Sequence, residues 1–186
     1  MSTSAMRPGI TVGEYYRMAE DGALAPGQRV ELIDGEVVEM SPIGSRHAAT
    51  VDELTRLLVP LAGHLAVVRI QNPVRLSDLT ELQPDIALVR PRADRYLNNH
   101  PVPADVQLII EVADTSQRFD RTTKRPMYAA AGIVEVWIVD LVAGLVEIAT
   151  DPGPNGYRSI RQVGRNATIT PTAGPGMTLA VADFLP

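Results

Sequence analysis

The chain has no cysteine, which excludes disulfides, zinc–thiolate centres and thiol nucleophiles. It also lacks any apolar run approaching the roughly 18 residues a membrane span requires. Its first residues, MSTSAMRPG, lack the apolar core of a secretory leader, so the expectation is a soluble, cytoplasmic protein. No GxxxxGK[ST], GxGxxG or HExxH pattern occurs, which leaves ATP hydrolysis, dinucleotide chemistry and zincin proteolysis without support. Internal repeats, low-complexity tracts and interdomain linkers are absent as well. Lysine is nearly absent: of the 17 basic residues all but Lys124 are arginine.

What is present is ordinary globular composition, 45% hydrophobic and 21% charged over 186 residues. That length suits one domain with a full core, read as residues 1–186. The formal charge of −5 means that the molecule as a whole is no electrostatic glue for nucleic acid. The charge is uneven, however. Arg118 to Arg125 (RFDRTTKR) carries four bases against one acid, and Arg90 to Arg95 (RPRADR) three against one. Runs of this size are usually solvated faces, but basic lips on an acidic body would suit an enzyme that grips a polyanion at one edge.

Thr11 reads as the N-cap of a short helix through Glu20, followed by the turn residues DGALAPGQ. Val30 to Met40 reads as a hairpin about Asp34-Gly35. From Arg46 to His64, apolar residues at Ala48, Val51, Leu54, Leu58 and Leu61 keep a helical spacing, with Pro60 expected to kink or end it. Strands are expected at 65–70, 73–76, 86–89, 106–112, 134–140, 144–149 and 157–163. Val106 to Val112 is a continuous apolar run, as in strands covered on both faces. Residues 91–105 form the longest irregular stretch. Pro126 belongs in a first helical turn, which makes Thr122 or Thr123 the N-cap, places Lys124 in that turn and leaves Gly132 as the stop. The order predicts a mixed α/β domain, a mixed sheet flanked by helices.

Asp85 and Glu111 each stand at the end of an apolar strand, and Lys124 follows at the helix start. Two carboxylates projecting from adjacent strand ends suit a hard cation such as Mg²⁺. A neighbouring ammonium could orient or deprotonate an attacking water and offset charge on a phosphoryl transition state. The combination points to phosphodiester hydrolysis. Taken singly, each residue also has a plain reading as turn, strand-end or helix-surface residue.

The segments VELIDGEVVEMSP, RH, QPD, IIEVADTS, FDRTTKRPMYAAAGIVEVWIVD and GYRS resemble the Uma-two family of putative restriction endonucleases, within the PD-(D/E)XK nuclease superfamily. The resemblance spans roughly Thr11 to Leu185. It implies a restriction-endonuclease-like fold in which Asp85, Glu111 and the backbone carbonyl of Val112 hold Mg²⁺, with Mn²⁺ as a possible substitute, and Lys124 acts as the catalytic lysine. The superfamily's usual lysine lies two residues after the second acid, a position held here by Ala113; the family places its lysine where Lys124 stands. Arginine would not replace it, because a guanidinium stays protonated. Glu31 sits where the family has an acid at the start of the hairpin, and would bind a second ion or orient the lysine; otherwise it is a surface strand acid.

His47 would contact a phosphate or help as an acid, or is simply exposed. Gln83 would support the metal site or order the turn before Asp85. Asp114 and Asp120 are outer-shell ligands or caps, and His64 and His100 read as structural or exposed. The expectation is a Mg²⁺-dependent DNA endonuclease, a homodimer with the apolar hairpin 30–40 as a candidate interface, and with arginines near 90–95 and 118–125 on the DNA backbone. The alternatives are a nuclease fold that has kept only nucleic-acid or protein binding, and a metal protein acting on a small phosphorylated substrate.

Overall fold

A computed structural model describes residues 9–25, 27–174 and 176–186. The stretch read as lacking a leader therefore lies, for residues 1–8, outside the described residues, as do Pro26 of the predicted turn and Pro175 of the tail. In chain order the elements are α1 (Val12–Glu20), β1 (Val30–Ile33), β2 (Glu36–Glu39), α2 (Ser45–Ala62), β3 (Val67–Ile70), β4 (Val74–Ser77), β5 (Thr80–Leu82), β6 (Ile86–Val89) and β7 (Val106–Ala113). They continue with α3 (Gln117–Phe119), a π turn (Asp120–Lys124), α4 (Arg125–Ala130), β8 (Glu135–Asp140), β9 (Leu145–Gly153), β10 (Gly156–Gly164), β11 (Thr168–Ile169) and β12 (Leu179–Ala180). These fall into two compact units, one formed by residues up to 42 with 75–82, the other by 43–74 with 83–186.

The smaller unit is a four-stranded sheet in the order β2-β1-β5-β4 with α1. Thr11 caps α1 in a full capping box with Glu14, as its sequence predicts. Asp34 and Gly35 turn the β1–β2 hairpin with φ of 48° and 79°, the paired positive angles of a two-residue hairpin turn. Gly35 is further required by space, since a Cβ there would lie 2.6 Å from the Gly9 Cα. Val12, Tyr15, Val30 and Leu32 form the core of this unit.

The larger unit is a six-stranded sheet, β10-β9-β8-β7-β6-β3, antiparallel throughout except for the central parallel pair β7–β8. A parallel pair needs a crossover, which the helical segment 117–130 supplies. Side-chain alternation divides the sheet into two unlike faces. One carries Ile86, Leu88, Leu108, Ile110, Val112, Trp137, Val139, Val146 and Ile148, packed with Val51, Leu54 and Leu58 of α2 and with the C-terminal Phe184 and Leu185. The other carries Asp85, Glu111, Asp140 and Glu147 among small or β-branched residues. Pro60 sits inside α2, which ends two residues later. The irregular tail contains one short strand pair, β11–β12, whose two-residue strands are too brief to show as a pattern.

The crossover helix differs from its sequence reading. It starts at Gln117, and neither Thr122 nor Thr123 is its N-cap. Lys124 ends a π turn in which the Arg125 N–H donates to the Asp120 carbonyl, five residues back. A proline inside an α-helix clashes with the carbonyl four residues earlier, and the wider π turn directly before Pro126 relieves that conflict. Gly132, with φ of 81°, closes the segment as predicted.

Candidate metal and phosphodiester site

The pairing of β6 with β7 puts Ile86 opposite Ile110, so Asp85, one residue before β6, stands opposite Glu111 and on the same face. The two acids touch through the main chain: the Asp85 N–H is 3.4 Å from Glu111 Oε2. Both are deeply buried, at 8% and 3% exposure, and Lys124 is 2% exposed. Such burial of three ionisable groups is tolerable only because they compensate one another. Lys124 Nζ lies 3.3 Å from Glu111 Oε1, and the Tyr128 hydroxyl donates to the same oxygen at 2.6 Å. Lys124 and Tyr128 are four residues apart, hence on one helix face, and the π turn sets the phase of that face toward Glu111.

Asp85 is held by three donors. Oδ2 accepts from the Val112 N–H at 2.8 Å and from His47 Nε2 at 3.0 Å; Oδ1 accepts from the Gln71 amide at 3.3 Å. Burial pushes the Asp85 carboxyl up, but the His47 hydrogen bond and charge, the Val112 N–H and the Lys124 ammonium outweigh it and hold the carboxyl below its ordinary value of 3.8. A carboxyl depressed in this way contributes stability that is complete above about pH 3.8 and is lost as the pH falls through its lower folded value. In the metal-free protein, His47→Ala is therefore expected to be less stable than wild type at neutral pH, with the deficit narrowing on acidification. Urea unfolding at neutral and acid pH checks this, and a deficit that stays constant would remove Asp85 as its cause.

Among the described residues no three or more His, Asp or Glu side chains are grouped to hold a metal. The donor set that does exist is two adjacent carboxylates plus main-chain oxygen. In a strand, the N–H and C=O of one residue face the same neighbour, so the Val112 carbonyl projects from the edge of β7 that Asp85 already engages. Two carboxylates, one carbonyl and water fit the hard-cation pattern of Mg²⁺.

The structure thus brings Asp85, Glu111, Val112 and Lys124 together. Glu31 is buried on β1 of the smaller unit, which rules out the surface-acid alternative. His47 was the residue underweighted by sequence: it reaches Asp85 from the first turn of α2, and its Nδ1 is buried without a hydrogen-bond partner. Gln71 gave no sequence signal. Gln83 is half-buried two residues before Asp85. Asp114 accepts from Arg46 at 3.3 Å, and Asp120 accepts from Ser116 Oγ at 2.6 Å. The basic run 118–125 is largely not a free phosphate-gripping surface, because Arg121 pairs with Asp140 and Glu147, and Arg125 with Glu147. Arg92 likewise pairs with Asp94 and Asp105. Arg118, Arg90 and Arg95 are exposed. No helix among the described residues is long and apolar enough to cross a membrane.

Comparison with known proteins gives the family and the fold. The model of the Uma2 family, described as "Putative restriction endonuclease", matches residues 12–182. A crystal structure from Anabaena variabilis, described as "a putative nuclease belonging to DUF820", superposes with a TM-score of 0.76 over 95% of this chain and 97% of that one, at 16% identity. At that identity the likeness speaks for the fold. A search of curated proteins gives no match.

Proposed function

The chain belongs to the Uma2 family, and from that membership we propose that it is a DNA endonuclease in which Asp85, Glu111 and the Val112 carbonyl hold Mg²⁺ or Mn²⁺ and Lys124 serves the attacking water. The observation that carries the reading is the contact of Lys124 Nζ with Glu111 Oε1 at 3.3 Å, next to an Asp85 carboxylate on the neighbouring strand. An acid pair without the amine would be a cation site only; an amine without the pair would be a buried ion with no chemistry to serve.

When bound, the cation would supply positive charge against the phosphoryl oxygens and lower the pKa of a water. The chain's own groups do the rest. Tyr128 and the Asp85 N–H fix the Glu111 carboxylate from both sides, so its charge is preorganised before substrate arrives. His47 and Gln71 do the same for Asp85. Lys124, held by the π turn, places an ammonium where charge develops on the phosphoryl group, and an amine is the basic group able to give up a proton in a buried site. Glu31 and a homodimeric state complete the proposal.

The test is conversion of supercoiled plasmid by the purified protein with Mg²⁺ or Mn²⁺. Lys124→Ala is expected to cut about 10²-fold more slowly, and Lys124→Arg to restore charge but little rate. Equal rates for all three proteins would sink the assignment of Lys124. Tight DNA binding by wild type with no cleavage under either metal would favour a binding module on a nuclease fold.

A further inference from the structure

Arg69 on β3 is a cation without an acid. Its guanidinium has no carboxylate within ion-pair distance among the described residues; Nη2 is 3.4 Å from His100 Nδ1, and Nε is buried with no hydrogen-bond partner. Its charge lies over the Tyr96 ring, 5.7 Å from the centroid, with Arg92 over the same ring at 4.6 Å. Arg92 is neutralised by Asp94 and Asp105, whereas Arg69 is not. Burial lowers the pKa of the Arg69 guanidinium, opposed by Tyr96 and by no carboxylate, yet an arginine remains charged. A half-buried charge left in this condition is stabilised by an arriving anion.

Its position says which anion. Arg69 pairs with Ala87, the residue two past Asp85 on the same sheet face. Two residues further along from Arg69 lies Gln71, whose main-chain N–H donates to the Asp85 carbonyl and whose side chain holds Asp85 Oδ1. Two strand positions are about 7 Å, so Arg69 is anchored on the sheet one short step from the carboxylate proposed to bind the metal. The loop that carries Tyr96 is shaped by two consecutive left-handed residues, Arg95 and Tyr96, with φ of 52° and 59°. Tyr96 is itself fixed by its hydroxyl donating to the Arg90 carbonyl at 2.6 Å. Arg69 is therefore preorganised on a rigid ring rather than on a flexible surface stem.

We propose that Arg69 binds a backbone phosphate of duplex DNA next to the phosphodiester held at Asp85 and Glu111. This rests on the nuclease reading, but its test reads binding, not cleavage. Fluorescence anisotropy of a labelled duplex is measured in EDTA over a range of salt concentrations. Arg69→Gln and Arg69→Met keep a side chain over Tyr96 and remove the charge; each is expected to weaken binding about tenfold and to reduce the slope of log affinity against log salt by about 0.9, one phosphate contact. Arg69→Lys is expected to keep the wild-type slope. Tyr96→Leu, which removes the stacking and keeps the charge, is expected to keep it too. Unchanged slopes in both neutral variants overturn the proposal, as does wild-type protein that does not bind the duplex. Failure of both neutral variants to fold would assign Arg69 to holding the loop and would overturn it equally. A wild type that binds with the Arg69-dependent slope but never cleaves would end the nuclease reading and leave the phosphate contact standing.

Discussion

Glu111→Gln is expected to lower plasmid cleavage by about 10³-fold, a loss of the size produced by removing one preorganised charge from an active site. The substitution keeps shape, and the side-chain amide oxygen can still accept from Tyr128. What disappears is the negative charge shared by the cation and by Lys124. Affinity for Mn²⁺, followed by the free-ion signal in electron paramagnetic resonance, should fall in parallel, because the proposed site would then keep only Asp85 and the Val112 carbonyl as protein ligands. There is a second consequence. Lys124 is 2% exposed, and a buried ammonium that loses the Glu111 charge is less well compensated, so the single variant should also unfold at lower urea. Removing both charges, as Glu111→Gln with Lys124→Met, should recover part of that loss, because taking away a buried pair is far cheaper than breaking it. Recovery of stability without recovery of cleavage separates the catalytic loss from the folding loss. Wild-type rates in Glu111→Gln would mean that the cleavage comes from elsewhere.

The sequence made the two strand-end acids and the lysine visible because strand ends and helix breakers leave strong local marks. The hairpin at Asp34-Gly35, the buried run at Val106 and the stop at Gly132 were legible for the same reason. Lys124 was found for a partly mistaken reason: the rule that proline belongs in a first turn placed a helix start at Thr122 or Thr123, whereas the helix starts at Gln117 and a π turn accommodates Pro126. Both arrangements present Lys124 near the strand exit. Both keep it in line with Tyr128, four residues on; the π turn sets the phase of that shared face toward Glu111. His47 was hidden because its partner, Asp85, is 38 residues away, and no local pattern reports that the first turn of α2 meets the end of β6. The available signal was the Arg46-His47 pair at the start of a helix whose apolar stripe must cover the sheet. The arginines of the run 118–125 misled in the opposite direction. Their partners, Asp140 and Glu147, interrupt otherwise apolar strands, and an acid at a position that faces a covering helix is itself a sign that a cation on that helix is already taken.

That cation carries the other large effect. Arg121 donates to Asp140 Oδ2 at 2.6 Å and lies 3.1 Å from Glu147 Oε1, while Arg125 reaches Glu147 Oε2 at 2.7 Å and Gln162 donates to Oε1 at 3.1 Å. Burial pushes both carboxyls up, and for Asp140 the Ala143 and Val142 N–H groups together with Arg121 outweigh it, as Arg121, Gln162 and Arg125 do for Glu147, so both titrate below their ordinary values. Removing Arg121 leaves two buried acids short of one counter-ion, and Arg121→Ala is expected to destabilise the protein by about 3 kcal/mol, measured as the shift in urea midpoint at unchanged m-value. Arg125→Ala should cost less, because Glu147 keeps Arg121 and Gln162. The sign with pH follows from the depressed carboxyls: the difference between wild type and Arg121→Ala is full above the ordinary values of 3.8 and 4.5 and closes as the pH falls through the lower folded ones. Arg121 and Arg125 lie on either side of Lys124 in the same helical segment, so the pairs that hold the helix to the sheet also hold the amine to Glu111. Arg121→Ala should therefore slow cleavage under conditions where it is still folded, and a variant that loses stability but keeps the full rate would show that Lys124 is positioned by Glu111 and the π turn alone.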